Sequence, residues 1–207
     1  IPAPVLFIGE APGPTEDMFG VPFIGKSGKL LDHWINKACE TAPRLPYAIT
    51  NTVACIPKEH GQKFRQPDYG EYLNCKVRLY ETIAIVAPTV VITVGSVARK
   101  ALEFDDTVRN LVHTKDSIYH PSYAMRSGID KDLNSAIDTI NNLFKWLEDY
   151  GGDQWPGAHR HPQRGQCAVR AGRRTRQPGL LTRSLGRTAG PRRRLITLPR
   201  WRSRFLS

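Results

Sequence analysis

This sequence predicts an α/β fold of three layers, with helices on both faces of a central, mostly parallel four-stranded sheet. Three observations carry that expectation. Short apolar runs rich in Val and Ile recur along the first 150 residues, amphipathic helical stretches alternate with them, and a Gly or polar turn closes each run.

The elements follow in order. Val5-Leu6-Phe7-Ile8 reads as a buried strand that breaks into the tight turn Gly9-Glu10-Ala11-Pro12-Gly13. Residues 27–39 place Leu30, Leu31, Trp34, Ile35 and Ala38 on one helical face, with Ser27 as N-cap. A second strand covers 47–53, and a loop of Pro, Gly and charged residues covers 57–67. Asp68 caps a long helix to Val86, with Tyr72, Val77, Leu79, Ile83 and Val86 among its apolar positions. Pro88 stops that helix. Residues 89–94 are the most β-branched run of the chain, which predicts a central strand buried on both faces. Gly95 turns the chain into a short helix over 96–102, a brief strand over 117–119 leads to His120, and residues 131–150 form the closing helix. Strands alternating with helices make the sheet mostly parallel.

Composition separates two regions. Across all 207 residues the formal charge is +11, but residues 1–150 hold 16 Lys and Arg against 18 Asp and Glu, a net of −2. Residues 151–207 hold 14 Arg, no Lys and the single acid Asp153, a net of +13. This segment, rich in Pro and Gly and poor in periodic apolar residues, cannot bury enough surface to offset its ordering entropy, so it is expected to be disordered. Two readings stay open for it: a polycationic arm that adds salt-sensitive affinity for phosphates, or a stretch of non-native, out-of-frame coding. Residues 1–150 form the expected catalytic domain.

No apolar run reaches the roughly 18 residues of a transmembrane helix. No signal peptide is visible in a chain that starts at Ile1, and Cys39, Cys55, Cys75 and Cys167 lack the paired spacing of a secreted disulfide framework. The expectation is an intracellular, cytoplasmic and nucleoid-associated monomer that does not engage membranes.

In a parallel sheet the carboxyl ends of the strands lie along one edge, where open α/β folds bind ligands. Here those ends carry Gly9-Glu10, Thr50-Asn51, Gly95-Ser96 and His120, so residues distant in sequence can converge. Taken alone, each has an ordinary alternative. Glu10 can accept backbone N–H bonds in its own turn, Asn51 can make an Asx turn, His120 can be a turn residue, and Phe23 can plug the underside of a loop.

The order of the motifs adds to this. GEAPGPTEDMFGVPFIGKSGKLLD from Gly9, TNTVACIP from Thr50, VVITVGSVARKAL from Val90 and HPSYAMR from His120 together resemble the uracil-DNA glycosylase superfamily, most closely its family 4. The resemblance spans nearly all of residues 5–150. It implies hydrolysis of the N-glycosidic bond of uracil in DNA, releasing uracil and leaving an abasic site. That chemistry needs a stacking aromatic, an amide that reads the base edge, a donor for the departing anion, and a carboxylate near water and sugar.

By resemblance, Phe23 stacks on uracil, Asn51 reads its edge, His120 stabilises the leaving base, and Glu10 serves the water and the sugar. Gly9 and Ala11 bring backbone close to the base, and Glu16 lies near its C5 edge, where bulk would exclude a thymine methyl. Ser122, Tyr123, Met125 and Arg126 resemble the superfamily's minor-groove loop, with Tyr123 or Met125 as a wedge and Arg126 on phosphate. The partner so implied is uracil-containing DNA. The competing class is an inactive or clusterless relative that serves as a DNA-binding module.

Family 4 members typically hold a [4Fe–4S] cluster on four Cys. Cys55 and Cys75 match the second pair in context, whereas the eight residues before Gly9 contain no Cys to match the first. Two thiolates cannot complete such a site. The expectation is a cluster only where further sequence supplies the missing pair, and none in this chain as it stands. The link from Leu102 to His120 is also shorter than usual.

Overall fold

The computed structural model describes residues 2–58, 64–103, 105–112, 114–128, 134–151 and 168–170, all within one compact unit, Ile1–Thr175. Five parallel strands run β1 Val5–Gly9, β2 Tyr47–Asn51, β3 Val90–Val94, β4 Thr114–Ile118 and β5 Ala168–Arg170. The helices among the described residues are α1 Pro14–Phe19, α2 Lys26–Ala38, α3 Tyr69–Val86, α4 Ser96–Glu103, α5 Asp106–Leu111, α6 Pro121–Arg126 and α7 Asn134–Gly151. The sheet order is β4-β3-β1-β2-β5, so β1 is central and its two neighbours lead away in opposite directions. That reversal opens a crevice at the carboxyl ends.

Alternation along the strands divides the core. Val5 and Phe7 of β1 face Leu31, Trp34 and Ile35 of α2 and Ile140 and Phe144 of α7. Leu6 and Ile8 face the other way, toward Leu79 and Ile83 of α3 and Leu102 of α4. All four β1 side chains are fully buried, which is why β1 reads as an unbroken apolar run rather than an alternating one.

Helix α3 shows how local sequence sets its ends. The Asp68 side chain accepts from the Glu71 N–H at 2.8 Å, the Glu71 carboxylate accepts from the Asp68 N–H at 2.9 Å, and Arg65 grips the same carboxylate through two bonds of 2.7 and 2.9 Å. This is a capping box with a cation attached. At the other end Ala87 turns left-handed at φ 47° and Pro88 forbids continuation.

Several expectations change. Ser27 does not cap α2: Gly25 occupies the N-cap, and the Ser27 hydroxyl instead shares a hydrogen bond of 2.8 Å with that of Ser122. Val77 is not a core position. It sits about 200° around the helix from Leu79, and it is 58% exposed. The last predicted strand begins earlier, at Thr114, because β4 is an edge strand whose polar residues disguise it. Helices α1, α5 and α6, each of six residues, were too short for periodicity to reveal. The sheet has five strands rather than four. The fifth is a three-residue stretch within the Arg-rich segment, too short to carry a pattern, whose backbone pairs with β2. Apart from Gly151 at the end of α7, the rest of that segment, including Cys167, lies outside the described residues. Among the described residues no helix is long and apolar enough to cross a membrane.

Candidate active site

A cleft of about 800 Å³ opens at the carboxyl edge of the sheet and is lined by Glu10, Glu16, Phe23, Asn51, His120 and Arg126, among others. The convergence expected from the strand ends is therefore present.

The turn after β1 is sewn to the end of β2. Gly9 O accepts from Thr52 N–H at 2.8 Å, and Glu10 O accepts from Val53 N–H at 3.2 Å and from the Thr52 hydroxyl at 2.6 Å. A Cβ on Gly9 would overlap both the Phe23 ring and Asn51 Oδ1, so glycine is required for those two side chains to meet over its backbone. The Glu10 side chain is partly buried, and that desolvation raises its carboxyl above the ordinary value, opposed by the positive charge of Arg126.

Phe23 is only 6% exposed and sits at φ +55°, an uncommon conformation for a bulky residue. Its loop is held from two sides. Glu16 Oε1 accepts from the N–H groups of Ile24 at 3.0 Å and Gly25 at 2.7 Å, and Gly28 lets α2 close against the Phe23 carbonyl, where a Cβ would overlap it. Glu16 does line the cleft, but one of its oxygens is committed to bracing the Phe23 loop.

Asn51 is buried, and its Oδ1 has no hydrogen-bond partner among the described residues. An acceptor in that state costs about 1–3 kcal/mol unless something supplies a donor. Beneath it lies Arg78 of α3, which donates to the Thr50 hydroxyl at 3.1 Å, to Asn51 O at 2.6 Å and to Thr52 O at 3.2 Å. Sequence reasoning missed Arg78. Its targets are mostly backbone carbonyls, which no side-chain motif announces, and its sequence mark is only its place beside buried Leu79.

His120 caps α6 in extended geometry, φ −70° and ψ 131°, as the following proline requires. Its Nδ1 accepts from the Ser122 N–H at 3.1 Å, which leaves the proton of the neutral ring on Nε2. Burial and, secondarily, the Arg126 charge lower its pKa to about 4, so the ring is neutral at physiological pH. The ring centroid is 6.2 Å from that of Phe23. Gly95, at φ +96°, makes this approach possible: a Cβ there would stand 2.8 Å from that of His120.

The resemblance assigned residues 122–126 to a loop, but they form the short helix α6. Ala124 is buried, while Tyr123 and Met125 are 47% and 45% exposed and Arg126 is exposed at the cleft. Tyr123 stacks on Tyr119, with centroids 5.7 Å apart and an 18° interplanar angle.

Cys55 is exposed and Cys75 half-buried, with Cys75 Sγ accepting from Ala54 N–H at 3.5 Å. Both thiols are near enough to Arg78 to interact with its charge. Among the described residues no group of three or more His, Cys, Asp or Glu is placed to hold a metal ion. The described residues therefore do not fit a four-thiolate cluster. Cys39 packs beside α2, its thiol 3.9 Å from Pro43 O.

The model of the uracil DNA glycosylase superfamily matches residues 1–145. The type-4 uracil-DNA glycosylase of Thermotoga maritima is 33% identical over 161 residues, covering 71% of this chain and 79% of that protein. That of Saccharolobus solfataricus is 41% identical over 93 residues, 45% of this chain and 41% of the relative. The chain spans less than half the length of the first three curated relatives it matches. The crystal structure of Pedobacter heparinus SMUG2 shares the fold, with a TM-score of 0.52 at 16% identity, over 72% of this chain and 77% of that one. The chain belongs to the uracil DNA glycosylase superfamily and, within it, to the type-4 uracil-DNA glycosylases.

Proposed function

We propose that this protein hydrolyses the N-glycosidic bond of uracil in DNA, with water as the nucleophile. The observation that carries the proposal is the buried Oδ1 of Asn51, which lies with the Phe23 ring against Gly9 and has no partner among the described residues. A uracil edge offers what that atom lacks, an imide N–H, flanked by a carbonyl that the Asn51 amide N–H can reach.

Each remaining group then has a role. Phe23, held rigid by Glu16 and Gly28, stacks on the flipped base, and Gly9 and Ala11 let the backbone approach it closely. As the C1′–N1 bond breaks, negative charge moves onto the uracil oxygens, and the neutral His120 donates from Nε2 to one of them. Positive charge develops on the sugar, where the Glu10 carboxylate opposes it and orients the water whose oxygen bonds to C1′. Glu16 stands on the same side as Phe23 and limits room at the C5 edge. The water's proton passes to the carboxylate or to solvent, and uracil leaves as its anion until protonated.

Outside the pocket, Arg126 and Ser122 meet phosphate, and Met125 or Tyr123 fills the space the base vacates. One copy of the chain supplies all these residues, so we assign the reaction to a monomer. Residues 1–150 supply every residue of this site, and the Arg-rich remainder, apart from the β5 stretch that pairs with β2, is an auxiliary arm. Intracellular, nucleoid-associated action follows from the substrate. Cys55 and Cys75 would serve as two ligands of a [4Fe–4S] cluster only where two further thiolates are supplied, and no step above passes through one.

The test is incubation with a labelled oligonucleotide carrying one uracil, followed by alkali. Strand breakage is expected, with a fall of about 100-fold or more in His120→Ala and Glu10→Ala. Retarded migration without any breakage would point to a binding module and sink the proposal.

A further inference from the structure

We infer that Arg78 is the positioning residue that sets uracil recognition: it holds Asn51 in a place the protein itself leaves unsatisfied. The inference rests on the uracil reading above. Asn51 Oδ1 is buried without a partner, so nothing bonded to that oxygen keeps the side chain where it is. Its position comes from packing against Gly9 and from the backbone that carries it. On one side the β1 ladder fixes that backbone, pairing Gly9 with Asn51. From beneath, a single guanidinium joins three consecutive residues, reaching Thr50 Oγ1 at 3.1 Å, Asn51 O at 2.6 Å and Thr52 O at 3.2 Å.

This brace is not a surface ion pair. Arg78 is half-buried, its own buried Nε has no partner among the described residues, and the bonds it makes go to two carbonyls and a hydroxyl rather than to a carboxylate. A partly desolvated cation so placed has desolvation to offset, and its bonds converge on the peptide that carries Asn51. The planar fork matters as well. Lysine offers a point charge that can reach one or two of these oxygens but cannot span all three in fixed geometry. A shift of about 1 Å in a positioned group can lower a rate by about 100-fold, so loosening this peptide should act on the base pocket before it acts on the fold.

The experiment compares wild type with Arg78→Met and Arg78→Lys by three readouts: single-turnover uracil release, binding of free uracil by calorimetry, and binding of an abasic-site oligonucleotide. Thermal unfolding and circular dichroism confirm folding. We expect Arg78→Met to release uracil about 10- to 100-fold more slowly and to bind free uracil more weakly, with abasic-site affinity within threefold of wild type. Arg78→Lys should recover part of the uracil loss. A folded Arg78→Met that releases and binds uracil like wild type would overturn the inference alone. So would equal losses of uracil and abasic-site binding, which mark general disruption. If Arg78→Met does not fold, Arg78→Lys decides: wild-type uracil binding in that variant overturns the proposal. Wild type that neither excises nor binds uracil would remove the functional reading and this inference together.

Discussion

The wall of the cleft built from β1, β2 and the Phe23 loop differs in kind from the wall built by β4 and α6. The first is closed on itself: Gly9, Phe23 and Asn51 are buried against one another, and each is held by a residue outside the trio, among them Glu16 and Arg78. The second is anchored by Ile118, Pro121 and Ala124, holds His120 half-buried, and otherwise faces out, with Tyr119, Tyr123 and Met125 roughly half exposed. Reading a base requires fixed donors and acceptors, whose cost is met by packing beneath them. Meeting a long charged polymer requires exposed surface that can adapt. The two walls divide along that line.

The closed wall is most sensitive at Gly9. Gly9→Ala would push its methyl into both Phe23 and Asn51. Uracil release should fall by about 100-fold or more, and overpacking should lower stability by about 1–3 kcal/mol. Single-turnover kinetics and chemical denaturation measure the two effects. A variant that retains wild-type rate would mean the wall is not closed as described.

Acidity sharpens the contrast in a second way. The Glu10 carboxyl is raised, so the acid limb of activity should lie above its ordinary 4.5, whereas His120 stays neutral down to about 4. Activity between pH 5 and 8 should therefore show no loss near 6.5 from imidazole protonation. Stability follows a linked rule. The pKa of His120 is depressed on folding, so the unfolded chain binds its proton first. The stability so held is complete above about pH 6.5 and is lost as pH falls toward 4, by at most about 3 kcal/mol. The raised Glu10 acts oppositely over its own range and offsets part of this. Unfolding midpoints across pH 4 to 8 in wild type and His120→Asn check it: the variant should show a flatter acid decline.

Bracing of the Phe23 loop predicts a smaller effect. Glu16→Ala removes the acceptor for two backbone N–H groups, and should cost about 1–3 kcal/mol and slow uracil release severalfold. If it accelerates thymine release without touching stability, Glu16 acts at the C5 edge and not as a brace. Smallest of all, Met125→Ala on the open wall should weaken duplex affinity only a few-fold. Arg126→Ala should reduce the salt dependence of binding by about one counterion, since each phosphate contact adds close to one to the slope. Anisotropy titrations at several salt concentrations measure both.

Much of this molecule is legible in its sequence. β1 and β3 are continuous apolar runs because helices cover both faces of the sheet, and α3 announces itself by Asp68 and Glu71 at capping-box spacing. Glu10, Asn51 and His120 could be named because each ends a strand of a parallel sheet. The edge strand β4 and the six-residue helices α1, α5 and α6 gave weaker signals, since an edge tolerates polar residues and a helix of under two turns has no period to display.

Sequence alone determined the strand order of chemistry: which residues stand at strand ends, and hence which could share a cleft. Only the tertiary structure decided how they are held. The brace of Arg78 on β2, the turn of Glu16 toward the Phe23 loop and the hydroxyl contact of Ser27 with Ser122 join residues 26, 8 and 95 positions apart. Such contacts depend on how elements pack, and a backbone carbonyl or N–H partner leaves no trace in the identity of the residue that supplies it.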